Sequence, residues 1–252
     1  MMLLVIDAGN TNIVLAAMDG YEVCRQARLI TDRSVDAERC FSEIREAMEG
    51  LTFDGAILSS VVPEVNGAFC AAAKKLTGRE CLVLDHTTKT EMPLLVDEPA
   101  TIGADIIAGC FAAKEHYPLP LAVADLGTAN TVMVVDKDGA FRGGIIAAGL
   151  KMQLQALGAG TSLLPDLEVS APEKCIGTNT VDCLESGAVY GAAAMLDGIV
   201  ARMEQELGEP LTLVATGGLS GPVCEHCRHE VHVEPELLLK GLADIYKRNT
   251  AI

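Results

Sequence analysis

Apolar runs of strand length, broken by turns, open the chain. Leu4-Val-Ile leads into Asp7-Ala-Gly-Asn-Thr-Asn12, then Ile13 to Met18 and an Asp19-Gly20 turn, which predicts strand, turn, strand and closing turn. Glu22 to Thr31 reads as a further strand, and a helix with Ser34 as N-cap follows to about Glu49. Phe53 to Val62 has the composition of a buried strand ending at Pro63, where an amphipathic helix to Thr77 begins; Glu80 to Leu84 supplies the next parallel strand. Thr87 to Pro99 carries two prolines and reads as a surface connection, before a helix that starts near Thr101 and reaches Glu115.

The pattern then returns. In Leu121-Ala-Val-Ala-Asp-Leu-Gly-Thr-Ala-Asn-Thr-Val, the residues Asp125, Gly127, Asn130 and Val132 match Asp7, Gly9, Asn12 and Val14 at one constant offset. Each copy runs on to an Asp-Gly turn, Asp19-Gly20 and Asp138-Gly139. Two such units half a chain apart predict a duplicated α/β fold, 1–118 and 119–252, divided at Pro118-Leu-Pro120. If the two hairpin turns are phosphate loops, they would face each other across a central nucleotide cleft, the layout of actin-like (ribonuclease H-like) ATPases and sugar kinases. A strand at Phe141 to Gly149, a helix from Lys151 to about Ala156, a long helix Val181 to Leu207 and a last core strand Leu211 to Ala215 complete the second half.

Several of these turns carry candidate chemistry. Gly9 allows close backbone approach to an oxyanion, Asn10, Thr11 and Asn12 can donate to it, and Asp7 would hold a hydrated magnesium; the same residues also suit an ordinary edge hairpin. Ser59-Ser60 ends a strand where α/β proteins place ligand contacts, although small polar residues there are more often turn formers. Asp105 lies in the first turn of its helix, where burial raises and the helix N-terminus lowers its pKa; it reads either as a general base or as a complement to the helix dipole. Gly217 and Gly218 follow the last core strand and would let a purine lie against the backbone. Cys224-Glu-His-Cys227, with His229 and His232 behind it, has half the spacing of a zinc site but no distant second pair; incidental thiols on a helix followed by a strand are the alternative. His86 and His116 each stand alone.

The formal net charge of -16 removes the basic footprint of a nucleic-acid binder and disfavours anionic membranes, and it means that ATP would need local cations. No apolar run approaches the roughly 20 residues of a membrane span. The N-terminus lacks a basic flank and is better used as a first strand, so a cytoplasmic protein is expected. Nine cysteines, an odd number scattered over helices and strands, fit reduced thiols better than a disulfide framework.

Taken in order, Asp7-x-Gly-Asn-Thr-Asn12, Thr31-Asp-Arg33, Ser59-Ser-Val-Val-Pro63 with Asn66, Lys89-Thr-x-Met-Pro93, Gly103-Ala-Asp105, Asp125-x-Gly-Thr128, Gly143-Gly144, Ile176-Gly-x-Asn-Thr180, Ser186-Gly-x-x-Tyr-Gly191, Thr216-Gly-Gly-Leu219 and Leu239-Lys-Gly-Leu242 resemble a type III pantothenate kinase over nearly the whole chain. The resemblance implies ATP-dependent phosphorylation of pantothenate to 4'-phosphopantothenate, the first step of coenzyme A biosynthesis. ATP would be bound by Asp7, Ala8, Gly9, Asn10, Thr11, Asn12, Ile13, Val14 and Thr128, with magnesium at Asp7, and Gly217 and Gly218 would sit at the adenosine. It further implies Asp105 as base, potassium or ammonium at Asp125, an acceptor site of Gly103, Ala104, Asp105, Ile106, Val96 and Thr180, and a homodimer.

This sequence departs from the family at two positions beside the base and at three in and after the second loop. Ile106 stands where an Arg is usual, Val96 replaces a Tyr, Asn130 a Thr, Met133 an acidic residue and Ala148 a Pro. An Ile cannot offer the forked donors of an Arg to a carboxylate or phosphate. Two alternatives therefore stay open: a catalytically impaired nucleotide-binding paralog with a regulatory role, and a kinase for another small hydroxylated acceptor.

Overall fold

The computed structural model describes residues 1–160, 167 and 169–250. Two five-stranded sheets carry the fold. In the first, β1 (Met2–Ala8), β2 (Asn12–Asp19), β3 (Glu22–Ile30), β4 (Gly55–Ser60) and β5 (Leu82–Val83) take the order β3-β2-β1-β4-β5. In the second, β6 (Leu121–Leu126), β7 (Ala129–Val135), β8 (Phe141–Ala148), β9 (Thr212–Thr216) and β10 (Val231–Val233) take the order β10-β9-β6-β7-β8. Read from the opposite edge, the second order repeats the first, strand for strand. The first three strands are antiparallel, and the last two run parallel to β1 or β6. The duplicated α/β architecture expected from the hairpin repeat is present.

The helices keep the same bookkeeping. After β3 comes α1 (Ala37–Ala47), after β4 comes α2 (Pro63–Thr77), and after β5 comes α3 (Ala104–His116). The second copy has α4 (Leu150–Gly160) and α5 (Thr180–Leu207), then α6 (Ser220–Cys224), then α7 (Leu237–Asn249). The cap of α1 is Asp36, whose carboxylate accepts from the Arg39 amide, and not Ser34; the Ser34 hydroxyl instead donates to Asp32. Alternate residues of the first sheet, Leu4, Ile6 and Ala8 with Ala56 and Leu58, share a core with Ile44, Val65 and Phe69 of α1 and α2.

Compact units form from Met1–Ala112 with Leu237–Ile252, and from Ala113–Glu236. The division falls inside α3 rather than at Pro118-Leu-Pro120, and the last helix belongs with the first unit, where chain order had assigned it to the second. The cause is packing: α7 lies on β1 and β4, and its final turn straps the 87–99 connection. Asn249 donates to the Lys89 carbonyl at 2.9 Å and accepts from the Lys89 amide at 3.1 Å, while Arg248 pairs with Glu91 at 2.7 Å. In the second unit, Val132, Val134, Leu213 and Ala215 pack with Leu196 and Val200 of α5, and Leu126 with Leu150, Leu154 and Val189. Helix α5, at 28 residues, is long and apolar enough by composition to cross a membrane. Glu185 and Asp197 interrupt its apolar stretch, so the run-length reading of the sequence passed over it.

Candidate active site

In the first hairpin, Ala8 pairs with Ile13 and Asp7 with Val14, leaving Gly9 to Asn12 as the turn. The Gly9 amide donates to the Asn12 carbonyl at 3.0 Å. Just past the end of β3, the Thr31 hydroxyl donates to the Gly9 carbonyl at 2.7 Å and the Thr31 amide to the Thr11 carbonyl at 3.1 Å. Arg33 donates to Asn10 Oδ1 at 3.2 Å while pairing with Glu64 at 3.0 Å. The turn is thus held from outside, with Asn10 and Thr11 exposed at its tip. Ala8 and Ile13 point into the core, so only their main chain is open to a ligand. Thr31 and Arg33 appear in the sequence as a motif without a role; their task is to fix the loop.

Position along β4 locates the candidate base. Side chains at 55, 57 and 59 share one face. A Cβ on Gly55 would collide with the Tyr246 hydroxyl, so this is the face that α7 covers. Ser59 is in register with Asp7 on the neighbouring parallel strand. One step further, Val61 Cγ1 stands 3.5 Å from where a Cβ on Gly103 would be, and that Cβ would collide with Asp105 Oδ1. Glycine at 103 therefore lets the start of α3 bring its carboxylate to the end of β4. Asp105 is half-buried and accepts from the Ile106 amide at 2.8 Å. Burial pushes its carboxyl above the usual range, against the pull of the Ile106 amide and its own. A poised, partly desolvated carboxylate of this kind suits a general base.

The second hairpin is one residue shorter. Leu126 pairs with Asn130 and Asp125 with Thr131, leaving only Gly127, Thr128 and Ala129 in the turn. The constant sequence offset therefore fails inside the loop: Asn130 occupies the place of Ile13, and Ala129, whose carbonyl accepts from the Gly127 amide at 3.2 Å, takes that of Asn12. Asn130 is fully buried, and neither Oδ1 nor Nδ2 has a hydrogen-bond partner among the described residues. Thr128 is exposed at the tip, and its carbonyl accepts from Gly149 at 3.2 Å. Gly217, at φ +92°, comes so close to β6 that a Cβ there would collide with Asp125 Oδ1 and lie 2.6 Å from the Leu126 carbonyl. Carboxylate and carbonyl oxygens such as those of Asp125 and Leu126 are the ligand type that hard cations take. Gly218 is exposed beside it.

Comparison with known proteins gives these placements a family. Residues 3–202 match the family model described as type III pantothenate kinase. A type III pantothenate kinase from Acholeplasma laidlawii is 36% identical over 98% of this chain and 99% of its own length. The chain belongs to the type III pantothenate kinase family. It is accordingly a kinase, a phosphotransferase. Among solved structures, a conserved Baf family protein from Campylobacter jejuni shares the fold at a TM-score of 0.64, with 17% identity over 98% of both chains. The (R)-2-hydroxyglutaryl-CoA dehydratase component A of Acidaminococcus fermentans does so at 0.56, with 14% identity over 98% of this chain and 97% of that one.

Set against the family pattern, Val96 and Ile106 are both half-buried, and Thr180 is exposed as the first residue of α5. Toward Asp105, Ile106 contributes a main-chain amide. At the Cys224-x-x-Cys227 segment, His229 Nδ1 lies 2.8 Å from Asp197. No group of three or more metal-ligating side chains is gathered among the described residues.

Proposed function

We propose that this kinase transfers the γ-phosphoryl group of ATP to the hydroxyl of pantothenate, giving 4'-phosphopantothenate at the first step of coenzyme A biosynthesis. The observation that carries the reading is Asp105, a half-buried carboxylate with its pKa raised by burial, delivered by Gly103 to the end of the strand beside Asp7. Phosphoryl transfer depends mainly on positioning and charge neutralisation. Asp105 takes the proton of the acceptor hydroxyl. The 7–14 hairpin holds the phosphates through its turn amides and side chains, Thr128 adds a hydroxyl, and Gly217 and Gly218 give the adenosine a flat backbone surface.

Magnesium at Asp7 and potassium or ammonium at Asp125 would neutralise phosphate charge that the chain, at -16 overall, does not offset by itself. Gly103, Ala104, Ile106, Val96 and Thr180 form the acceptor side. The protein acts as a cytoplasmic homodimer, its seam on the exposed small residues of α5 at Gly187, Gly191 and Ala194. Purified protein with ATP, magnesium and potassium or ammonium should release ADP in proportion to added pantothenate. A second reading, a kinase for another small alcohol, is favoured by one feature, the apolar Ile106 where a carboxylate-bearing acceptor would meet an Arg. ADP release with neutral alcohols and none with pantothenate would select it, and ATP binding without turnover of any acceptor would select an impaired, regulatory paralog.

A further inference from the structure

Three side-chain oxygens of the first unit's site stand in sequence along one face: Asp7 on β1, Ser59 beside it on β4, and Asp105 at the start of α3. The middle one is unexplained by the fold. Ser59 is fully buried, and its Oγ has no hydrogen-bond partner among the described residues. Its neighbour Ser60 shows the contrast, because the Ser60 hydroxyl accepts from the Val62 amide at 3.0 Å and so closes the turn into α2. A structural role is therefore taken by Ser60 and absent at Ser59. Leaving a hydroxyl buried and unbonded is unfavourable, and at position 59 an alanine would fill the strand equally well.

Parallel neighbours in register point to the same side of a sheet with strands about 4.8 Å apart. The Ser59 hydroxyl and the Asp7 carboxylate thus project side by side from neighbouring strands. We propose that Ser59 is a positioning residue for Asp7: its hydroxyl donates to the Asp7 carboxylate when that carboxylate turns to magnesium-bound nucleotide. A carboxylate oxygen bonded this way is fixed in direction while the other stays open to the ion's water shell. The inference rests on the nucleotide reading of the hairpin given above.

The test is calorimetric titration of the full chain with magnesium and a non-hydrolysable ATP analogue, alongside thermal melts and the pH dependence of kcat. Ser59→Ala should bind the magnesium nucleotide about tenfold more weakly while melting at the same or a higher temperature, since an unbonded hydroxyl is removed. Ser59→Cys, similar in shape but a weak donor, should lose binding likewise. The acid limb of the pH profile, set by Asp105, should stay in place in both. Unchanged nucleotide affinity in both variants overturns the proposal, and so does a shifted acid limb with unchanged affinity, which would give the hydroxyl to Asp105. If the unsubstituted protein itself fails to bind the magnesium nucleotide, the hairpin reading has failed instead, and the proposal with it.

Discussion

Replacing Asn130 by Val should make the protein more stable. In the second hairpin this residue sits opposite Leu126 and Ala147, in the place that Ile13 takes in the first, and it is 0% exposed with both amide atoms unbonded among the described residues. An unsatisfied buried amide costs about 1–3 kcal/mol in protein mutational data. Valine removes that cost, fits a pleated strand through its β-branch, and is close in volume to the usual Thr. For a chain of this size, 1 kcal/mol shifts the melting temperature by about 2–4 °C, so Asn130→Val should raise it by roughly 2–12 °C. Differential scanning calorimetry reads the shift, and urea melts should show a higher midpoint with an unchanged slope. A lower melting temperature would refute the reasoning, because it would mean that the Asn130 amide is hydrogen-bonded in solution.

Three further outcomes are expected. Asp105→Asn should lower kcat by about 10²–10⁴-fold while keeping nucleotide binding. Because burial raises the folded-state pKa of Asp105, its ionised form opposes folding at neutral pH; the variant should therefore melt higher at pH 7, with the gain fading as pH falls through the raised pKa and gone below the ordinary carboxylate range. Ile106→Arg should lower KM for pantothenate about tenfold, since a charge-assisted hydrogen bond is worth ~1.5–3 kcal/mol, whereas an unchanged KM would mean that the acceptor carboxylate is held elsewhere. Thr31→Val keeps the shape but removes the 2.7 Å bond to the Gly9 carbonyl; a loss of about 1 kcal/mol should appear as weaker ATP binding with KM for pantothenate unaffected.

Most of the fold was legible because it rests on period. Alternating apolar runs between Gly and Asp turns mark the hairpins, and their recurrence at Asp125 marks the duplication that the two matching sheet orders display. What was not legible is non-local. Helix α7 carries an apolar face, but nothing within residues 237–249 says which sheet that face covers; the decision lies in Tyr246 meeting Gly55 and in Asn249 meeting Lys89. The shorter second turn was hidden because Asn12 and Asn130 are the same residue type at the same offset, although one sits in a turn and the other in the core. At the candidate site, Gly103 and Asp105 stood out by type and order. Ser59 did not, because a serine at a strand end looks like a turn former until its neighbour Ser60 is seen to make the turn bond.

The most direct measurement is mass-spectrometric detection of 4'-phosphopantothenate from purified protein, pantothenate and magnesium ATP in potassium or ammonium buffer, with ADP quantified in the same samples. The expected result is product and ADP in equal amounts, both abolished in Asp105→Asn. ADP without phosphopantothenate, or neither at high enzyme concentration, would contradict the assignment of pantothenate as acceptor.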